Sequence, residues 1–496
     1  MKKTTRTFLF SAFFISFLLA TPVIIAYSRG YRVDWGNKII LNTGALMVEP
    51  RPAPVELFVD GQYHKRSSFL FQNIYVDNLI AKTYLVEAKR DGYFTWSKML
   101  QVAPHLVTEA KNVVLFPSNS TSTLISSGVE FVSTSPGERY AVLAYLSTSS
   151  TQDRSPVVEA ALYDFESGTQ RVIFRGDETL IGYTVQSIEW NNSSTRIFFH
   201  FQNANNLNRW IAVDIRDPQL QTIDISAEIA ANSAFRQYEN EIFKPAIDSV
   251  SWQPNNQSSV LFVVRDLISP KDRQLHILAS YNLESKILSE PIAYDVSDYE
   301  AFGDNAMYIS SKLHTLNRVN INARAIDQLT FNPIFGAENI GSTQFVTDRI
   351  LLAGEEGDKQ AMIYNSQTQS FDIIANKITK AVVSSDSKKI LLQGKNTISV
   401  YWLENVHIQP FRDAGDIEEI IKLPESEVID SVWFTKDNEH IIFSANSSIN
   451  VTELDGRDKR NTHTLYGKSA DNLIYMGSKD ILYFRSEGNF LEMPIK

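Results

Sequence analysis

The sequence predicts a radial all-β architecture behind an apolar N-terminal segment. The prediction rests on two recurring patterns and on composition. Six stretches place an aromatic residue or Val before Asp, Asn or Thr and, in most, an apolar residue and a polar turn: Tyr163-Asp164-Phe165, Val213-Asp214-Ile215, Tyr281-Asn282-Leu283, Val319-Asn320-Ile321, Tyr364-Asn365-Ser366 and, more loosely, Val451-Thr452-Glu453-Leu454. Intervals among the first five run from about 38 to about 68 residues, near the period of repeated four-stranded units. A second pattern joins a strand to a turn and an apolar strand. Val132-Ser133-Thr134-Ser135-Pro136-Gly137, Ile188-Glu189-Trp190-Asn191-Asn192-Ser193, Val250-Ser251-Trp252-Gln253-Pro254-Asn255 and Val432-Trp433-Phe434-Thr435-Lys436-Asp437 align without gaps, and Val382 to Ser387 is a shorter copy. Aromatics make up 11% of the chain, with 29 Phe and 20 Tyr, which favours sheet over helix.

A chain of 496 residues has room for two or more domains. Hydrophobic residues at 43% and charged residues at 21% exclude disorder for its bulk. Charge is unevenly spread: residues 1–120 carry 14 Lys and Arg against 8 Asp and Glu, and the remainder carries 33 against 49. The acidic remainder would repel phosphates, so nucleic acid is not an expected partner. There are no cysteines, which removes disulfides, thiolate metal sites and cysteine nucleophiles.

Thr7 to Ser28 contains no charge and is long enough to cross a bilayer as a helix. Lys2, Lys3 and Arg6 precede it, so the positive-inside rule keeps residues 1–6 in the cytoplasm and places the bulk outside. The rival reading is a cleaved signal peptide, with Ala20 or Ala26 at the cleavage site. The apolar run exceeds the usual signal-peptide core, which favours a retained single-pass anchor over residues 7–28.

Residues 29–43 are expected to be a linker, and 44–117 a small β domain. Leu46–Val48, Val55–Val59, Tyr84–Lys89, Trp96–Val102 and Val113–Phe116 read as strands, with Asp60-Gly61 and Asp91-Gly92-Tyr93 as turns. Gly44, the prolines from Pro50 to Pro54, Val59-Asp60-Gly61 and Asp91-Gly92-Tyr93 make this stretch resemble a PEGA domain. The family's name tetrapeptide is replaced by Pro50-Arg51-Pro52-Ala53-Pro54, and Gln62 to Arg66 stand where a Gly-x-x-Pro is usual. The resemblance implies a β-sandwich-like surface module of bacterial envelope proteins, with no catalytic residue. Lys65, Arg66, Lys89 and Arg90 near its turns read either as strand-end charges or as an attraction to an anionic surface.

Residues 121–496 are similar to TolB-like and WD40-like β-propellers, although the WD dipeptide is absent. Markers near Tyr163, Val213, Tyr281, Val319, Tyr364, Tyr401, Val451 and Phe490 predict eight blades, with seven as the alternative if the fourth is irregular. The last unit has three strands, and Ser122 to Ser126 is expected to supply its fourth, removing exposed edges. The aromatic at the end of each first strand is expected to pack between blades. Ser226 to Lys244 reads as a partly helical insertion with Ile229, Ala230, Ala234 and Phe235 on one face, and Val406 to Gly415 as a polar loop.

No catalytic, cofactor or metal residues emerge. His64, His105, His200, His276, His314, His407, His440 and His463 stand at no metal-ligand spacing, and a Gly-x-Ser-x-Gly elbow is absent. The expected function is a membrane-anchored extracytoplasmic binding or scaffold protein whose partner is an envelope protein or cell-wall polymer. The alternative is a propeller enzyme, a hydrolase or lyase, whose site assembles in the central channel from several blades. Two carboxylates in that channel would favour it.

Overall fold

A computed structural model describes residues 3–34, 39–68, 72–147, 157–232, 237–238, 241–242, 245–266, 276–334, 342–355 and 357–495. Helix α1, Lys3–Ser28, starts four residues before the expected anchor. Its Thr5–Ser28 stretch is long and apolar enough to cross a membrane and none of it is buried against the chain, a property that signal sequences share. Lys2 lies outside the described residues.

Within the expected linker 29–43, the described residues on both sides of 35–38 form strands. Strand Tyr31–Asp34 pairs with Ile39–Asn42, matching Tyr31 with Asn42 and Val33 with Ile40. The Gly30 carbonyl accepts both the Thr43 amide and the Thr43 hydroxyl, each at 2.8 Å. Gly30 has φ +86°, and a Cβ there would meet the Thr43 carbonyl at 3.0 Å, so this close turn suits glycine. The chain therefore passes from helix into sheet through a short turn. The strand expected over Leu46–Val48 is the middle of a 13-residue strand, Ile39–Arg51.

The small module has two four-stranded sheets. One holds Tyr31–Asp34, Ile39–Arg51, Ile74–Ile80 and Val107–Val114, the last parallel to the long strand. The other holds Gln62–Arg66, Glu56–Val59, Thr83–Lys89 and Trp96–Gln101. Asp60 and Gly61, both at positive φ, form the first hairpin turn as expected. Alternate residues of both sheets meet in one core that includes Leu46, Val48, Leu57, Ile74, Val86 and Trp96, which is sandwich packing.

The remainder is a β-propeller built from antiparallel meanders. Sheet A spans Val129–Arg175, sheet B Tyr183–Asp224, sheet C Pro245–Tyr294 and sheet D Val296–Gln328. Sheet E, Ser342–Lys422, has seven strands, and its long strand Ser370–Val383 closes one meander and opens the next. Sheet F spans Val428–Tyr466. Sheet G holds Asp471–Met476, Ile481–Ser486, Asn489–Pro494 and, as its fourth strand, Thr123–Ser127. That strand pairs Ser126 with Phe490 and Leu124 with Leu491, the closure the strand deficit predicts. Val129, Leu143, Tyr163 and Phe165 of sheet A share a cluster with Met476, Tyr483 and Phe490 of sheet G, so the last sheet packs on the first. Sheet D, the weak fourth unit, is a four-stranded antiparallel sheet like its neighbours, with one bulge in its first strand.

The recurring Asp or Asn has a local cause. All eight expected markers fall on the third strand of a meander. In five, the carboxylate or amide oxygen following the marker accepts a backbone N–H two residues on: Asp164 from Glu166, Asp214 from Arg216, Asn282 from Glu284, Asn320 from Asn322 and Asn365 from Gln367. This side-chain turn reverses the chain into the fourth strand. The Trp residues of the second pattern join neighbouring sheets. Trp190 donates its indole N–H to Ser133 O, Trp252 to Glu189 O and Trp433 to Val382 O, at 3.2, 3.2 and 2.9 Å.

The module docks on one rim, at the ends of sheets E, F and G. Strand Trp96–Gln101 meets the loop after the third strand of sheet F. Lys98, fully buried, forms an ion pair with Glu453 at 2.9 Å. Its ammonium also donates to the carbonyls of Asp455 at 2.8 Å, Arg457 at 3.0 Å and Lys459. Glu453 accepts in addition from Trp96 Nε1 at 2.9 Å and from Asn461 N and Nδ2, both at 2.7 Å. Around this pair Phe94 stacks on His463 at 4.5 Å, and Phe116 meets Phe434 edge-on at 5.4 Å. The polar loop Val406–Gly415 serves the same contact: Gln409 bonds to Val107 O and Glu109 N, each at 3.2 Å.

Candidate functional site

First strands of several successive meanders approach one another: Val129–Thr134 and Tyr183–Trp190, Pro245–Trp252 and Val296–Phe302, Val296–Phe302 and Ser342–Phe345, and Val428–Trp433 and Asp471–Met476. A register break recurs in them. One residue is bulged out at Glu130, Gln186, Asp248, Ser297, Thr379 and Ile429, and a longer irregularity separates Asp471 from Ile474. Bulges bend a strand and re-aim the side chains that follow. The residue after each single bulge is Phe131, Ser187, Ser249, Asp298, Lys380 or Asp430. Two positions on, and so on the same face of the strand, stand Ser133, Glu189, Ser251, Glu300, Val382 and Val432.

These positions differ in chemistry from sheet to sheet. Sheets B and D place Glu189, Asp298 and Glu300 at them, and in sheet C the bulged residue itself is Asp248. Glu189 keeps open surface while protein surrounds much of its carboxyl group. Burial and then repulsion from Glu300 push its carboxyl up to about 7, against a hydrogen bond from Ser187. Burial also raises Glu300. Asp298 is raised by burial despite accepting from the Thr343 hydroxyl at 2.5 Å. Asp248 is raised by burial despite the Arg265 guanidinium at 2.6 Å. The buried Ser249 hydroxyl has no hydrogen-bond partner among the described residues. At the equivalent positions of sheets E and F, Lys380 pairs with Asp430 at 2.6 Å, and Asp430 also accepts the Leu473 amide at 2.8 Å, which ties sheets E, F and G together. Burial therefore favours the protonated form of each carboxyl in this acidic arc of sheets B, C and D, Glu189 most clearly.

Sequence reasoning named no site residue, and the arc draws on positions scattered over 112 residues whose neighbours give no motif. The structure distributes the other expected features away from it. The insertion at Ser226–Lys244 begins as helix α2, Ile225–Ala231, capped by Asp224, with Ile225 and Ile229 buried; Ala234 and Phe235 lie outside the described residues. Arg90 donates to Pro52 O at 2.7 Å and so helps hold the module together, Lys89 pairs with Glu87 of its own strand at 2.9 Å, and Lys65 and Arg66 are exposed. His440 is buried against Asp437 at 2.8 Å, and His200 stacks on Trp210 at 4.5 Å. No group of three or more His, Asp or Glu side chains is placed to hold a metal ion among the described residues.

No protein-family model matches the chain, and no curated protein sequence matches it. Solved structures similar to it include the propeller of Dos1 (10% identity, TM-score 0.45, covering 75% of this chain and 94% of that one). The β-propeller domain of Cps50 (Swd1) from Myceliophteria thermophila is similar at 11% identity and TM-score 0.41, covering 77% of this chain and 100% of that one. The propeller domain of the Trilobed protease from Pyrococcus furiosus is similar at 11% identity and TM-score 0.35, covering 74% and 94%.

Proposed function

We propose that this is a membrane-anchored extracytoplasmic scaffold that presents an eight-bladed propeller to an envelope protein or cell-wall polymer. Sheet E counts as two blades, α1 is retained with residues 1–6 in the cytoplasm, and the small module is a PEGA-like domain of a bacterial envelope protein. The observation that carries the reading is the unbroken path of contacts from helix to ring. Helix α1 turns directly into the first hairpin, the hairpin belongs to the module's sheet, and the module is locked to the rim through Lys98 and Glu453. Such a path holds a recognition surface at a set distance from the bilayer, which a free-floating receptor does not need.

The test is co-purification from gently extracted membranes, comparing the intact chain with one carrying Lys98→Met. Capture of a specific envelope component by the intact chain, weakened when the lock is broken, supports the scaffold. Recovery of nothing but lipid and detergent removes its support. The acidic arc favours a second reading, a hydrolase or lyase working in the channel with Glu189 as proton carrier and Glu300 as its neighbour. Hydrolysis of an envelope polymer by the intact chain, abolished in Glu189→Gln, would replace the first reading with the second.

A further inference from the structure

We propose that the module's first hairpin and the cleft beside it form a second membrane contact, seating the anionic lipid headgroups that surround the exit of α1. This rests on α1 being a retained anchor. Strand Tyr31–Asp34 begins three residue steps beyond Ser28, at most ~11 Å of extended chain. The hairpin therefore starts at the depth of the headgroup layer.

Its surface has the matching chemistry. Tyr31 and Val33 lie on one face of their strand, and Ile40, the partner of Val33, joins them. Val33 and Ile40 are 51% and 69% exposed, and Leu106, on the loop beside Gly44, is 63% exposed. That loop is fixed to the helix exit: the His105 amide donates to Thr43 O and the Ala45 amide to Leu106 O. Tyrosines and aliphatic side chains of this kind are favoured at a membrane–water boundary.

Behind the hairpin lies a cleft of about 840 Å³ whose charged lining is Arg29, Arg32 and Asp77, with His105 beside them. Arg32 is held in place, donating to Tyr27 O at 2.7 Å and to the Asn78 side chain, with its guanidinium 3.5 Å from the centre of the Tyr27 ring. Arg29 is exposed and has no carboxylate partner among the described residues. The excess of basic residues within 1–120 and of acidic residues beyond orients the chain in the same sense. The basic end faces anionic lipid and the acidic ring is kept away from it.

The absence of cysteine makes single-site labelling direct. The intact chain is placed in nanodiscs of phosphatidylcholine, alone or mixed with phosphatidylglycerol. An environment-sensitive dye is attached at Leu106→Cys, at Leu18→Cys within α1, or at Lys395→Cys on the opposite rim, and lipid quenchers are added at headgroup depth for Leu106 and Lys395 and at acyl-chain depth for Leu18, which lies about 15 Å inside the helix exit. The proposal expects the Leu106 dye to be quenched several-fold more than the Lys395 dye, more so with phosphatidylglycerol and less so with Arg29→Glu. Equal quenching at Leu106 and Lys395, while the Leu18 dye is quenched, overturns the proposal and leaves the anchor standing. Loss of quenching at Leu18 overturns the anchor itself and this proposal with it. Shielding of the Leu106 dye to the same degree in lipid-free detergent reports a protein contact and also overturns it.

Discussion

Replacing Lys98 with Met tests whether module and propeller act as one body. The ammonium has four acceptors, the Glu453 carboxylate and the carbonyls of Asp455, Arg457 and Lys459, and both members of the ion pair are almost fully buried. Removing one partner of a buried pair costs about 3–5 kcal/mol, mainly because the other charge stays buried. Glu453 would keep its bonds from Trp96 and Asn461, which places the expected cost near the lower end, about 3 kcal/mol. Adding Glu453→Gln removes the stranded charge, so the double variant should cost less than the sum of the singles by about 1–3 kcal/mol. Urea unfolding of the intact chain in detergent, followed by tryptophan fluorescence, reads both quantities. Trp96 itself lies at the contact and should change early in Lys98→Met, splitting one transition into two. A loss below about 1 kcal/mol with additive singles would refute the reasoning, since a lock of this geometry cannot be that weak.

Other outcomes follow from the ring. Glu189 binds its proton more tightly in the folded chain, so its contribution to stability is full below about pH 4.5 and declines as pH rises toward about 7. Glu189→Gln removes that decline; because the side chain keeps open surface, screening reduces the expected gain to about 1 kcal/mol at slightly alkaline pH, read as a shift in melting temperature between acidic and alkaline buffers. Trp433→Phe deletes the indole bond to Val382 O and should cost about 1 kcal/mol, whereas Trp433→Ala, which also opens a cavity, should cost about 3–5 kcal/mol by denaturant titration. Ser126→Pro places a proline in the closing strand opposite Phe490 and should cost about 3 kcal/mol, with unfolding beginning at the junction of sheets A and G; an unchanged midpoint would show that the closing strand contributes nothing.

The parts of the fold that were legible in the sequence are those with a local cause. An Asp or Asn at the end of a third strand makes its own turn, and a Trp at the end of a first strand needs a neighbour's carbonyl, so both recur visibly. The closing strand was legible from a deficit, one strand too few after Leu473. The first hairpin was not, because strand Ile39–Arg51 reads as two dissimilar pieces around Gly44. Strand Ile74–Ile80 was missed because its alternation fails at Asp77-Asn78, where Asn78 adopts φ +60° and the partner strand shifts register between Gly44 and Leu46. The acidic arc was illegible for a different reason. Its carboxylates belong to three sheets and are aimed by bulges, and a bulge leaves no side-chain signature. Lys98 and Glu453 are likewise ordinary charges until the topology brings them together.

The long strand Ser370–Val383 gives sheet E a property that its neighbours lack. Its first half pairs backward with Asp358–Asn365 and its second half forward with Lys389–Gly394, and the handover occurs at Lys377, with φ +60°. Gly394 sits against that point, where a Cβ would lie 3.0 Å from the Lys377 carbonyl. Elsewhere a loop lets one meander open while the next stays shut. Here the amides on both sides of the handover should exchange with deuterium in a single cooperative event, making this arc a stiff splice in a ring otherwise free to breathe section by section.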